Sequence, residues 1–328
     1  MKCAAALSQN PHWQKNLEEV LSNVLCDLGE QKPHLGILFA TTHFKPYLSE
    51  MMEIIQKETK VPHLLGSVWQ GVIGVRDEVE QGEALSLWMA YLPDCVVEPF
   101  HLEYQPDRKK YLGLPAISSP FENEWLVLMV DPYTFPAESF LKWSNNEFPG
   151  LQITGGISSA VHAPYEIALH WNDRIYFRGA LGVRLSGNLK ITTLVAQACR
   201  PIGNYLVVTA ARDNMIYQLG GKPPLEKFQD LLFEISGKDQ GLLNLGIHLG
   251  LAVNAAQSHF HMGDFLVRSV VGITQPQGAL VINDFVRPGQ TVQFHVRDSQ
   301  AAIKDFESLL KKVRKREFKG GLLFDCNG

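Results

Sequence analysis

Several places in the chain carry residue types that could do chemistry, and each has a plain structural alternative. Gly156-Ile157-Ser158-Ser159-Ala160 comes close to the G-x-S-x-G turn that lifts a nucleophilic serine off a strand end. Val161-His162-Ala163-Pro164 does not continue it as a helix, so the competing reading is a small-residue turn that offers amides and hydroxyls to a ligand. His259-Phe260-His261 would put two imidazoles on one face of a strand, a possible metal pair with Asp264 as the close carboxylate, or simply surface or packed histidines. Cys326 follows an apolar run and precedes Asn327-Gly328, whose amides can point at a ligand; it reads as a reactive thiol or as a small residue at a strand end. Arg200, beside Pro201 and Gly203, could clamp a carboxylate through two parallel hydrogen bonds, or could sit in a surface salt bridge. Gly220-Gly221-Lys222-Pro223 falls short of a phosphate loop, because the proline removes an amide and no upstream glycine stands at the right distance. No strand end carries G-x-G-x-x-G either.

Composition sets the frame for these candidates. The 328 residues are 45% hydrophobic and 20% charged, values of an ordinary folded protein with chain enough for two domains. A net charge of -4 is too mild to imply nucleic-acid binding by bulk electrostatics. Cys3, Cys26, Cys95, Cys199 and Cys326 form no C-x-x-C pair, so neither a disulfide framework nor a cysteine zinc site is suggested, and a reducing cytoplasm is expected. The apolar stretch Cys3 to Leu7 is too short for an export signal. Gly241 to Gly263 lacks Asp, Glu, Lys and Arg, yet its histidines, asparagines and glycines make it a buried strand pair rather than a membrane span. No cofactor is required by any of these patterns.

The elements that must position the candidates repeat. Residues 1–34 show one amphipathic helix, with Leu17, Val20, Leu21, Val24 and Leu28 on a face. Leu35 to Ala40 is a strand covered on both sides, a helix follows with Pro46 near its first turn, and Leu64 to Gly74 and Ala84 to Tyr91 are strands. Trp125 to Val130, Pro136 to Trp143, Leu151 to Ser159 and Gly179 to Leu185 repeat that β-α-β-β order. Leu38 matches Leu128, and Gly66-Ser67 matches Gly156-Ile157, at one offset of 90 (128 minus 38, 156 minus 66). The expected fold is α+β: duplicated β-α-β-β units in mixed sheets with outer helices, layered α-β-β-α, and a site where the glycine turns converge.

From residue 189 the pattern changes to hairpin-like strands at Leu189 to Ala198, Tyr205 to Ala211, Gly246 to Asn254, Phe265 to Ile273 and Thr291 to Val296. A helix over Ser299 to Arg316 presents Ile303, Phe306, Leu310 and Val313 as its buried face and ends in a basic run that complements the helix dipole, or alternatively marks a nucleic-acid patch. Gly320 to Gly328 reads as the first strand of a third unit, so the chain is expected to be a shortened form of a longer protein with an exposed edge strand.

The order of several stretches resembles the FIST proteins, whose paired N-terminal and C-terminal FIST regions occur in bacterial signal transduction and in one eukaryotic F-box family. In the first half the resemblance rests on Leu35 to Ala40, Leu65-Gly66-Ser67, Gly71-Val72-Ile73-Gly74 with Glu78 and Glu80, Leu92-Pro93 and Pro99 to Leu102. In the second half it rests on Arg200 to Gly203, Val208-Thr209-Ala210, Asn214-Met215-Ile216, Leu219 to Pro223, Gly263 to Arg268, Gly289 to Val292, Phe294, Arg297-Asp298 and Phe324 to Gly328. It implies residues 1–34 as an N-terminal helix, 35–188 as a FIST N-like region and 189–328 as a FIST C-like region incomplete at its end. It also implies a cytoplasmic sensory module without catalysis that binds a small ligand, amino acids or related metabolites having been proposed, and signals through a separate protein partner, with no nucleic acid and no membrane. Some bacterial relatives are described as haem-containing nitric-oxide sensors, so a haem sensor is one alternative. A hydrolase or transferase using Ser158 or Cys326 is another. Similar proteins continue Cys-Asn-Gly with Arg-Gly, and the 34 leading residues are too few for an F-box. The chemistry of the residues selects Gly66, Ser67, Gly155, Gly156, Ser158, Arg200, Cys326 and Asn327 as ligand-binding candidates.

Overall fold

Apolar runs dictate where the strands lie, and the computed structural model describes them over residues 1–159, 162–244, 246–254, 257, 259–260, 263–275 and 277–326. The chain divides into two compact units, residues 1–192 with 318–328, and residues 193–317.

The first unit opens with β1 (Lys2–Ser8), α1 (Trp13–Leu28), β2 (Leu35–Thr41), α2 (Leu48–Thr59), β3 (His63–Trp69), β4 (Val72–Ile73), β5 (Glu78–Val79) and β6 (Leu85–Tyr91). It continues with β7 (Cys95–Gln105), β8 (Lys110–Leu112), β9 (Trp125–Val130), α3 (Ala137–Glu147), β10 (Gln152–Ile157), β11 (Leu169–Trp171), β12 (Arg174–Tyr176) and β13 (Ala180–Gly187). One sheet runs β1-β6-β2-β3-β11-β12 and the other β10-β9-β13-β7-β8. The duplication shows in the pairing. β2 is parallel to β3 and antiparallel to β6, and β9 is parallel to β10 and antiparallel to β13.

Burial explains the continuous apolar strands. Leu38, Ala40, Leu64 and Leu87 pack on α1 and α2, while Leu35, Ile37 and Leu65 pack against Val127, Met129 and Val183 of the other sheet. On the far side, Leu126, Leu128 and Val130 meet Phe140 of α3. The layers are therefore α-β-β-α, and the mixed α+β expectation holds. The register shifts the repeat by one residue: Leu38 faces Gly66 and Leu128 faces Gly155, so Gly66 corresponds to Gly155 at an offset of 89 (155 minus 66). Pro46 falls in a 3-10 turn over Thr42–Tyr47 ahead of α2, not in the helix's first turn. Six strands of this unit, β1, β5, β7, β8, β11 and β12, had no counterpart in the sequence reading. β1 hides in the short apolar stretch before α1, and β7 has exposed residues alternating with half-buried ones over its first half.

The second unit is a closed barrel, β14-β15-β18-β17-β16-β19. Its elements are β14 (Cys199–Arg212), β15 (Met215–Leu219), α4 (Pro224–Glu234), α5 (Gly237–Leu243), β16 (His248–Ala252), β17 (Phe265–Ile273), β18 (Leu280–Ile282), β19 (Thr291–Arg297) and α6 (Ser299–Val313). The long β14 closes it by pairing first with β19 and then, past irregular register, with β15. Residues 191–198 are irregular, not a strand. Among its described residues, Gly241 to Gly263 supplies the end of α5 and β16, not a strand pair, and the partner β17 starts later.

Two expectations fail on burial. In α6 the buried residues are Ala301 and Val313, and Ile303, Phe306 and Leu310 are exposed. Asp298 caps this helix through the amides of Gln300 and Ala301 and is itself held by Arg200 of β14, which turns the Ala301 side toward the barrel. Residues 320–326 form no strand. They return to the first unit and lay Leu322 and Phe324 on the core between its sheets, leaving Leu323 exposed; alternation is satisfied over a sheet face, without a ladder, so no edge strand is presented there. Among the described residues, no helix is long and apolar enough to cross a membrane.

Candidate functional site

Where β3 and β10 end, the loops beyond them meet. Ser158 donates its hydroxyl to the Val68 carbonyl at 3.1 Å, and its amide donates to the Val130 carbonyl at 2.9 Å. The Gln70 amide lies 3.4 Å from the Ser159 hydroxyl oxygen that accepts its hydrogen bond. These bonds join the two repeats at their strand ends, the place where sheets of this kind present ligand sites.

Beside the junction lies a cavity of about 1020 Å³ within the first unit. β10 contributes Gly155, Gly156 and Ile157, the end of β3 contributes Trp69 to Gly71, and the β4–β5 hairpin and residues 319–326 supply further walls. Close approach builds it. A Cβ on Gly71 would stand 2.6 Å from the Val79 carbonyl oxygen, so the hairpin can fold back only over glycine. A Cβ on Gly74 would stand 2.4 Å from Cβ of Leu7, which seats the hairpin on β1. At Gly156 the missing Cβ makes room for the Trp69 ring and for Phe324, each 3.0 Å from where it would be. Gly320 rests on Cys3 in the same way, at 2.7 Å from Sγ.

Four walls are aromatic. Phe39, Trp69, Trp88 and Phe324 line the cavity, each half-buried. Trp69 Nε1 is buried and has no acceptor among the described residues. Burial pushes the Cys3 thiol up, so it faces the cavity protonated at neutral pH. No histidine is among the described lining residues.

The sequence-selected residues divide between three situations. Gly155, Gly156 and Cys326 line the cavity together. Gly66, Ser67 and Ser158 are buried beneath the junction; Ser67 is fully covered, and a Cβ on Gly66 would press on Met52 of α2 at 2.7 Å from Sδ. Arg200 belongs to the barrel unit, where its guanidinium bonds Asp298 at 2.7 Å and also Asp239. Hydrogen bonds from Arg200 hold both carboxylates below their ordinary range. Asn327 lies outside the described residues, as does His261, and His259 sits exposed in a loop rather than on a strand. Sequence reasoning passed over Trp69, Phe39, Trp88 and Cys3. The usable signal was the residue after each repeat's glycine strand: Trp69-Gln70-Gly71 ends β3 where Ser158-Ser159 ends β10.

Comparison with known proteins follows the same lines. The FIST N domain family model matches residues 34–222 and the FIST C domain model residues 224–328. The boundary between the two matches falls after β15, inside the barrel unit. The chain is similar to the uncharacterized protein Rv0628c of Mycobacterium tuberculosis (strain ATCC 25618 / H37Rv), 29% identical over 331 residues that cover 100% of this chain and 86% of that protein. It is also similar to the uncharacterized protein Mb0898c of Mycobacterium bovis (strain ATCC BAA-935 / AF2122/97), 27% identical over 331 residues covering 100% and 85% respectively.

Proposed function

The chain belongs to the FIST family of sensory domains, and from that premise we propose that its first unit is the receptor for a small ligand, held in the cavity at the ends of β3 and β10. In this reading binding is signalled to a separate protein partner in the cytoplasm and no catalytic step takes place. The observation that carries it is the cavity itself. Its volume of about 1020 Å³ is that of a small-molecule site, and its walls combine apolar rings and aliphatic groups with polar and charged side chains. Gly155, Gly156 and Cys326 face the ligand in this proposal, Ser158 ties the strand ends, Gly66 and Ser67 are buried within β3, and Arg200 organises the barrel. Against a nucleophilic serine stands the geometry of Ser158, which is 3% exposed and gives its proton to a backbone carbonyl.

The test is a thermal-shift screen of the full chain against amino acids, small carboxylates and haem, repeated with Gly156→Leu. A bound ligand raises Tm in proportion to its occupancy of the native state. The expected result is a shift in the parent protein that Gly156→Leu abolishes, since the new side chain would enter the space of Trp69 and Phe324. A shift of equal size in both proteins places the ligand elsewhere and overturns the proposal.

A further inference from the structure

The cavity walls also select for charge. Phe39, Trp69 and Phe324 form a three-ring corner, with centroids 6.0 Å apart for Phe39 and Trp69, 6.3 Å for Phe39 and Phe324, and 6.4 Å for Trp69 and Phe324. Their planes meet at 61°, 81° and 56°, so the rings meet edge to face or tilted and none lies flat on another. Each face carries the negative lobe of the ring quadrupole, which attracts cations and repels anions. Glu78, Glu80 and Asp325 line the same cavity, against Lys319 as the lone cation among its described lining residues. Rings and carboxylates therefore act in one direction.

Resting on the reading of this cavity as the ligand site, we infer that its ligand is an organic cation: an ammonium- or guanidinium-bearing molecule with an apolar or aromatic body. The body packs in the ring corner and the cation sits between the rings and the carboxylates. A carboxylate ligand of the same shape would face like charge and ring faces together.

Three probes of one shape separate these possibilities: tyramine, its neutral analogue tyrosol, and its anionic analogue 3-(4-hydroxyphenyl)propionate. Binding to the full chain is followed at millimolar concentration by ligand-observed NMR and by Trp fluorescence. Tyramine is expected to bind about tenfold more tightly than tyrosol, with the anion weakest. In the double variant Glu80→Gln with Asp325→Asn the tyramine advantage should shrink by several-fold while tyrosol binding stays unchanged. If tyrosol or the anion binds as well as tyramine, the cation inference falls and the cavity remains a ligand site. If none of the three binds, the reading of the cavity falls with it. A tyramine advantage that survives the double variant removes the carboxylates from the inference, and one that also survives Trp69→Leu overturns it.

Discussion

The two repeats of the first unit share one pairing scheme and use its key position in opposite ways. In register, Ser67 of β3 stands opposite Phe39 and Gly156 of β10 stands opposite Met129, one place after the glycines that face Leu38 and Leu128. Beside Ser67 the sheet continues, because β11 pairs along the free edge of β3 and Leu169 lies opposite Ser67. Beside Gly156 it stops, since β10 is the edge of its sheet. The hairpin that follows β10 crosses to the other sheet, while the hairpin that follows β3, β4–β5, stays a separate pair and lines the cavity. The cavity is thus lined by the edge strand of the second copy, whereas the corresponding strand of the first copy is covered by β11. A duplication supplies two equal sheet edges, and here one is covered while the other borders a cavity closed by the β4–β5 hairpin and residues 319–326.

If the copies diverge in this way, the corresponding glycines should tolerate substitution very differently. Gly155 has φ of 142°, and a Cβ there would stand 1.9 Å from the Leu128 carbonyl oxygen, a backbone atom fixed by the ladder. Gly155→Ala should cost about 3 kcal/mol or more in urea denaturation. A loss under about 1 kcal/mol would mean that β10 is not held in this conformation. The next effect belongs to the strand that covers the first copy. His170 of β11 lies opposite Gly66 and is 3% exposed, and burial lowers its pKa from 6.5 to about 4. The unfolded chain therefore takes up this proton first as pH falls. The stability given by the neutral ring is complete above about pH 6.5, is lost as pH drops toward 4, and changes no further below that. The loss approaches about 3 kcal/mol across that window. Urea titrations at neutral and acidic pH should show it in the parent protein and show it reduced in His170→Gln, while NMR of the parent should find the ring neutral at pH 5. A ring titrating near its ordinary value would mean that β11 does not bury it.

How much of this was legible in the sequence follows from what each signal measures. Continuous apolar runs reported strands buried on two faces, so β2, β9 and the α-β-β-α layering could be read directly. Strands without a continuous apolar run leave weaker traces: β1, an edge strand, offers a few alanines and β7 a mixed surface pattern, and both escaped. Gly155 and Gly156 could be found because a missing side chain is visible in the sequence, whereas their partner Trp69 looked like ordinary core. Periodicity also misread α6. Ile303, Phe306 and Leu310 form a regular apolar stripe, but a stripe says only that a face exists, not that the barrel covers it. The run 320–326 failed for the converse reason, being apolar and alternating yet packed across a sheet face.

In the first copy, Gly66→Ala meets only the end of a flexible side chain, since the new Cβ would stand 2.7 Å from Met52 Sδ. Methionine can swing aside, so the expected cost is about 1 to 2 kcal/mol, below that of Gly155→Ala. An equal or greater cost would show that α2 is as rigid against β3 as the backbone is at β10, and would erase the proposed difference between the copies.

The smallest effects should come from exchanging the residues at the diverged position itself. Ser67 is fully buried and its hydroxyl has no partner among the described residues, so Ser67→Ala removes a polar group that is costly to bury and should leave stability unchanged or raise it by about 1 kcal/mol. Gly156→Ala would place its Cβ 3.0 Å from both the Trp69 ring and Phe324, and Phe324 belongs to an irregular segment that can give way. Its stability cost should stay below about 1 kcal/mol while Trp69 emission shifts, because the indole is the wall that moves. The two measurements together decide the comparison. A large loss in Ser67→Ala would mean that its hydroxyl serves a site in the first copy too, and an unchanged emission spectrum in Gly156→Ala would mean that the uncovered edge of β10 does not shape the cavity.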